Sequence, residues 1–236
     1  MATYVYVDAL NFYYGALEGT PYKWLDYEAI ARILVPYDQI GKIRYFTANV
    51  KPRGPGDKAH ERQAAYLRAL DSNPLVDIVR GYFRQDSKWR ALDEKRNRPR
   101  DLFRPDLRPR FLITIMLTEA KRRRTKHHTL ARVIVPEEKG SDVSLGSYLV
   151  YDALKHHFDK ALVLSNDSDL KDAVKLAVSE GLPVGIVNPH KVPTSAALKR
   201  EATFEIPFRH EVLARCQLPN VVVGRNGKQV RKPVEW

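Results

Sequence analysis

The chain has 236 residues, 44% of them hydrophobic, and a formal charge of +12 from 40 Lys and Arg against 28 Asp and Glu. That suffices for a full core in one large domain, or in one domain carrying an insertion; the lone Cys216 excludes an intrachain disulfide framework and a multi-cysteine zinc site. No run approaches the ~18 apolar residues of a membrane span and no basic start leads into a long apolar stretch, so the expectation is a soluble, cytoplasmic protein without membrane contact, whose excess positive charge suits a polyanion partner.

Residues 4–7, where Val5 and Val7 alternate with Tyr4 and Tyr6, predict a first strand that ends on Asp8, with Asn11 three positions on. A helical pattern follows over 27–36, a strand over 43–46, and a helix over 60–70 with Ala64, Leu67 and Leu70 on one face. A third strand is expected over 76–82. The stretch 84–132 then breaks the pattern: it holds sixteen Lys and Arg against six Asp and Glu, a surplus of +10, with Pro99, Pro105 and Pro109 opposing regular structure. Within it, 111–120 is apolar enough to form an element of its own, and Lys121, Arg122, Arg123 and Arg124 form a basic run. The stretch reads either as a solvated charged loop or as a basic insertion that holds phosphates.

Strand and helix alternate again afterwards. Strands are expected over 131–135, 161–164 and 183–187, and helices over 146–157 and 170–180, the last stopped by Gly181 and Pro183. Alternation of this length predicts an α/β fold, a mainly parallel sheet with helices on both faces. The expected organisation is a domain over 1–210 with the insertion at about 84–132, and a tail over 211–236 docked on it.

Three acidic groups fall where a strand hands over to a helix or a helix begins: Asp8, Asp142 in EEKGSDVSL, and Asp167 with Asp169 in LVLSNDSDL. In a parallel sheet such positions open onto one edge, where ligands bind. Each acid alone is also a good helix N-cap. Together their carboxylates repel unless a cation lies among them, which predicts a site for hard divalent ions, Mg²⁺ or Mn²⁺. Around it Asn11, Ser165, Asn166 and Lys139 are candidates to orient water, ligands or phosphate. In a basic chain this reads as phosphodiester hydrolysis.

The strings YVDALNFYYG, EEKGSDVSLGSYLVYDAL and VLSNDSDLKDAVKLA together resemble the NYN domain, a branch of the PIN-like ribonuclease superfamily, and its LabA-like bacterial members in particular. The likeness extends to QAAYLRALDSN, VRGYF and the closing tryptophan; Asn166 stands where many members carry glycine, and 84–132 is longer than a minimal domain needs. The resemblance implies a PIN-like three-layer fold in which Asp8, Asp142, Asp167 and Asp169 form one metal site. It also implies a metal-dependent ribonuclease. Metal-activated water would cut single-stranded RNA to a 5′-phosphate and a 3′-hydroxyl. Independently of the resemblance, the charge of Lys121, Arg122, Arg123 and Arg124 suits them to grip RNA phosphates. The competing expectations are a non-cleaving RNA-binding regulator and a phosphohydrolase of small substrates. A homodimer or a regulatory protein partner is left open.

Overall fold

The computed structural model describes residues 1–50, 52, 56–91, 123–124 and 129–236, with the backbone alone for 83–91, 123–124 and 129–139. It contains two compact units, Met1–Tyr82 with Gly140–Trp236, and Phe83–Lys139.

In the first unit, strand β1 (Ala2–Asp8) runs into the short helix α1 (Ala9–Phe12) and a π-helical turn (Tyr13–Leu17). Helix α2 (Tyr27–Leu34) leads to β2 (Gln39–Ala48), and α3 (Ala59–Asp71) leads to β3 (Val76–Ala91), whose end passes into the second unit. That unit holds β4 (Arg123–Arg124) antiparallel to β5 (Thr129–Lys139). The chain returns through α4 (Ser141–Leu154), β6 (Lys160–Leu164), a 3₁₀ turn at Ser168–Leu170, α5 (Lys171–Ser179), β7 (Val184–Val187), α6 (Ala196–Glu201) and β8 (Phe204–Glu205). It closes with a 3₁₀ segment at His210–Ala214 and the hairpin of β9 (Val221–Val223) and β10 (Gln229–Arg231).

Within the first unit the strand order is β3-β2-β1-β6-β7-β8, with each of these neighbouring pairs parallel. This is the α/β sheet the sequence predicts. Alternate side chains leave β1 in opposite directions, and both sides are dry. Val5 and Val7 join Phe12, Ile30, Leu67 and Leu162 in one core, under α1, α2 and α3. Tyr6 joins Leu145, Leu149, Val163, Val174 and Leu198 in the other, under α4, α5 and α6. Burial on both faces explains why the strands read as short apolar runs.

Several elements differ from expectation. Helix α4 begins at Ser141, five residues before the expected start, because Gly140 at φ +95° turns the chain in a left-handed conformation that favours glycine. Strand β2 runs beyond 43–46 to Gln39–Ala48, because the flanking Gln39, Lys42 and Thr47 interrupt the apolar run that marks the strand in the sequence. The helical turn after β1, α6 and the last three strands are too short to leave a periodic signal. The segment 111–120, Lys121 and Arg122 lie outside the described residues; Arg123, Arg124 and Lys139 are described in backbone only. No helix among the described residues is long and apolar enough to cross a membrane.

Candidate functional site

The chain builds β1, β2 and β3 in one direction across the sheet, then β6, β7 and β8 in the other. The strand order therefore reverses between β1 and β6, the switch point beyond whose carboxyl ends doubly wound sheets place their ligand crevice. Asp8 ends β1 and Asp167 follows β6, so both arrive at that crevice from rigid strands. Asp142 enters from the first turn of α4. Asp8, Asp142 and Asp167 each offer a carboxylate oxygen, and these oxygens lie within 4.8 Å of one another.

Asp8 is 4% exposed and well supplied with donors. It caps α1 by accepting the Asn11 N–H at 3.0 Å, and the Ser165 hydroxyl donates to its other oxygen at 2.9 Å. The same Ser165 oxygen accepts the Asp167 N–H at 3.1 Å, so one hydroxyl ties the two acid-bearing strand ends together. Asp167 in turn caps the following 3₁₀ turn, accepting the Asp169 N–H at 3.0 Å. Asp169 itself is exposed and stands outside the group of three.

Asn11 and Asn166 lace the crevice from the side. The Asn11 side-chain oxygen accepts the Asn166 N–H at 3.0 Å, and Asn166 accepts the Ser195 N–H at 2.7 Å, which ties the loop after β7 to the end of β6. A third strand end contributes a residue that sequence reasoning missed. His190, beyond β7, places Nε2 3.0 Å from the same Asn11 oxygen. Its backbone N–H donates to Asn188 at 2.9 Å, and the Asn188 amide donates to the Val192 carbonyl at 2.7 Å, so the loop is braced from within. No spacing to another acid or histidine marks His190 in the sequence; the available signal is that it follows the β7 strand end by three residues.

The described geometry defines a doubly wound α/β protein with a carboxylate-lined crevice at its switch point. No protein-family model matches the chain. It is 30% identical to 6-hydroxy-3-succinoylpyridine 3-monooxygenase HspA of Pseudomonas putida, over 266 aligned positions that span all of this chain and 75% of the relative, and it belongs to the family of that enzyme. Among solved structures, a protein of unknown function from Vibrio parahaemolyticus is similar at a TM-score of 0.47 and 15% identity, over 88% of this chain and 93% of that one.

Membership of that family overturns the expected activity. The relative is a monooxygenase, an oxidoreductase, so the readings as a hydrolase, a ribonuclease and an RNA-binding protein are corrected, together with their small-substrate phosphohydrolase alternative. The expectation of Mg²⁺ or Mn²⁺ is corrected with the hydrolysis it was meant to serve. The physical reason lies in what the acids report. Carboxylates at the carboxyl edge of a parallel sheet mark where a ligand binds and not which reaction follows. Two of the three are also accounted for locally, since Asp8 and Asp167 each cap the turn that follows their strand.

Proposed function

We propose that the chain is an oxidoreductase of the monooxygenase class, acting on a hydroxylated nitrogen-containing aromatic ring at the crevice of Asp8, Asp142 and Asp167. The observation that carries this reading is the 30% identity to the monooxygenase over the whole chain. In such a reaction one atom of O₂ is inserted into the organic substrate. The other atom leaves as water, and a reduced donor supplies two electrons, with two protons taken up.

The crevice suits a substrate that presents a hydroxyl. Three carboxylates with oxygens within 4.8 Å favour a proton-donating group among them. Asp8, buried and held by Ser165 and the Asn11 N–H, is the fixed acceptor, and the more open Asp142 and Asp167 are placed to take and return a proton. The turn after β1 does not fit the pyrophosphate of a dinucleotide. It reads Asp-Ala-Leu-Asn where the Gly-x-Gly-x-x-Gly turn would stand, and three acids face the space a phosphate would need. The electron donor in this reading is accordingly a reduced flavin supplied from solution, itself reduced by NADH or NADPH, which fits a cytoplasmic location. The scaffold we propose to be of NYN type, a reading supported by the order and local context of Asp8, Asn11, Asp142 and Asp167; it carries no hydrolytic activity with it.

The test is incubation with 6-hydroxy-3-succinoylpyridine, NADH or NADPH, and FAD or FMN, under ¹⁸O₂. One ¹⁸O atom in the organic product, lost in the Asp8→Asn variant, is the expected result. Absence of label with every donor pair overturns the proposal.

A further inference from the structure

The Asn11 side chain is oriented by its neighbours. Its oxygen accepts the Asn166 backbone N–H, an unambiguous donor, at 3.0 Å. The amide is therefore fixed with oxygen on that side, and an amide oxygen can only accept. His190 Nε2, 3.0 Å from the same oxygen, must then carry a hydrogen and donate. With two donors on its oxygen, Asn11 cannot flip, and among the described residues no hydrogen bond uses its Nδ2. That nitrogen is a donor of defined orientation on the residue three positions after Asp8, beside the carboxylate group of Asp8, Asp142 and Asp167.

The fold makes room for this arrangement at one position. Gly15 lies in the π-helical turn that follows α1, and a methyl group added there would meet the His190 ring at 2.9 Å from Cδ2 and 3.0 Å from Nε2. Gly15 is not among the positive-φ glycines, so its backbone would accept alanine. What excludes a side chain is the imidazole itself. The π turn, a form frequent at functional sites, and the braced loop after β7 thus meet through His190.

We infer that His190 is a positioning residue of the crevice: by donating to Asn11 and packing on Gly15, it holds the Asn11 amide so that Nδ2 donates to an oxygen of the substrate. The identity of the substrate rests on the proposed function; the orientation of Asn11 does not. Turnover of 6-hydroxy-3-succinoylpyridine is to be measured for His190→Ala, His190→Gln, Gly15→Ala and the Gly15→Ala/His190→Ala double variant. His190→Ala is expected to lower kcat/KM about tenfold, the effect of one hydrogen bond. His190→Gln, which keeps a donor, restores most of it. Gly15→Ala, which pushes the ring aside, matches the loss, and the double variant is no worse than His190→Ala. Wild-type turnover by His190→Ala, or independent losses that multiply in the double variant, overturns the inference.

NMR of the unliganded protein supplies a readout free of the reaction. Nitrogen shifts should report the Nε2–H form of His190, and the Asn11 side-chain amide signals should shift or broaden in His190→Ala and return in His190→Gln. If the wild type does not turn over the pyridine, the functional proposal fails while these signals still decide the inference. An Nδ1–H tautomer, or Asn11 signals unmoved by His190→Ala, overturns it.

Discussion

Ser165 is the residue on which the two central strand ends depend. Its hydroxyl donates to Asp8 at 2.9 Å and accepts from Asp167 at 3.1 Å, and it is itself buried. Ser165→Ala leaves a buried carboxylate oxygen without that donor, an expected loss of about 1–3 kcal/mol. At about 2–4 °C per kcal/mol for a chain of this size, calorimetry should show a clear fall in Tm. Asp167→Asn should act in the opposite sense on stability. It keeps an oxygen to accept the Asp169 N–H but removes one of three charges whose oxygens lie within 4.8 Å. The expected result is a Tm equal to or slightly above the wild type together with strongly reduced turnover, read from thermal melts and the labelled-oxygen assay on the same preparation. A large fall in Tm would mean that Asp167 is chiefly structural.

Between elements, the firmest polar joint is the one that pins α4 to the sheet. Asp152 on α4, fully buried, accepts from Arg44 Nε at 2.7 Å and Nη2 at 2.8 Å, and from the Tyr6 hydroxyl at 2.7 Å. Arg44 also donates to Asp77 at 2.6 Å and lies 4.5 Å over the Tyr148 ring, a cation–π contact. Burial alone would raise the Asp152 pKa; the bonds from Arg44, His157 and Tyr6 outweigh it and hold the carboxyl below the usual carboxylate range. Burial and then Asp152 push the Tyr6 hydroxyl up, so it stays protonated as a donor. Because the folded pKa of Asp152 is depressed, its contribution is present above the unfolded value of about 4 and is lost as pH falls through the folded value. Asp152→Asn should therefore cost about 3–5 kcal/mol at neutral pH, by leaving the buried Arg44 with Asp77 alone as a partner charge. The deficit should narrow on acidification below about pH 4, as urea melts across that range can show. This joint also shows where sequence reading stops. Helices α2, α3 and α5 were legible because their apolar faces repeat with helical spacing, whereas Arg44 and Asp152 look like surface charges until a partner 108 positions away neutralises each.

At the scale of the molecule, the class of the sheet was legible from the alternation of strand and helix, and so was the edge on which Asp8 and Asp167 would meet. His190 was not, because its role depends on a side chain missing at Gly15 and an amide 179 positions away. The reaction was not legible either, since carboxylates at a sheet edge are compatible with many chemistries. Trp236 packs, partly buried, against the core of Val5 and Val7. It stacks edge-to-face with Trp24 and Tyr66 at 6.3 and 5.6 Å between ring centres, beside the ion pair of Arg62 with Glu235. Trp236→Ala should lower stability by about 1–3 kcal/mol, the scale of a partly buried aromatic anchor, and an unchanged denaturation midpoint would show the contact to be idle. The central place of β1 also constrains the order of events during synthesis. Its neighbour β6 lies at a distance of 157 positions, the separation of Asp8 from Ser165, so β1 leaves the ribosome with one flank uncovered until β6 has followed. Long-range pairing of this kind is slow and leaves apolar edges open to misassociation. Amides of Val5 to Val7 facing β6 should accordingly gain exchange protection late in refolding, in one step with those of Leu162 and Leu164, and a nascent chain halted before β6 should need a chaperone to stay dispersed.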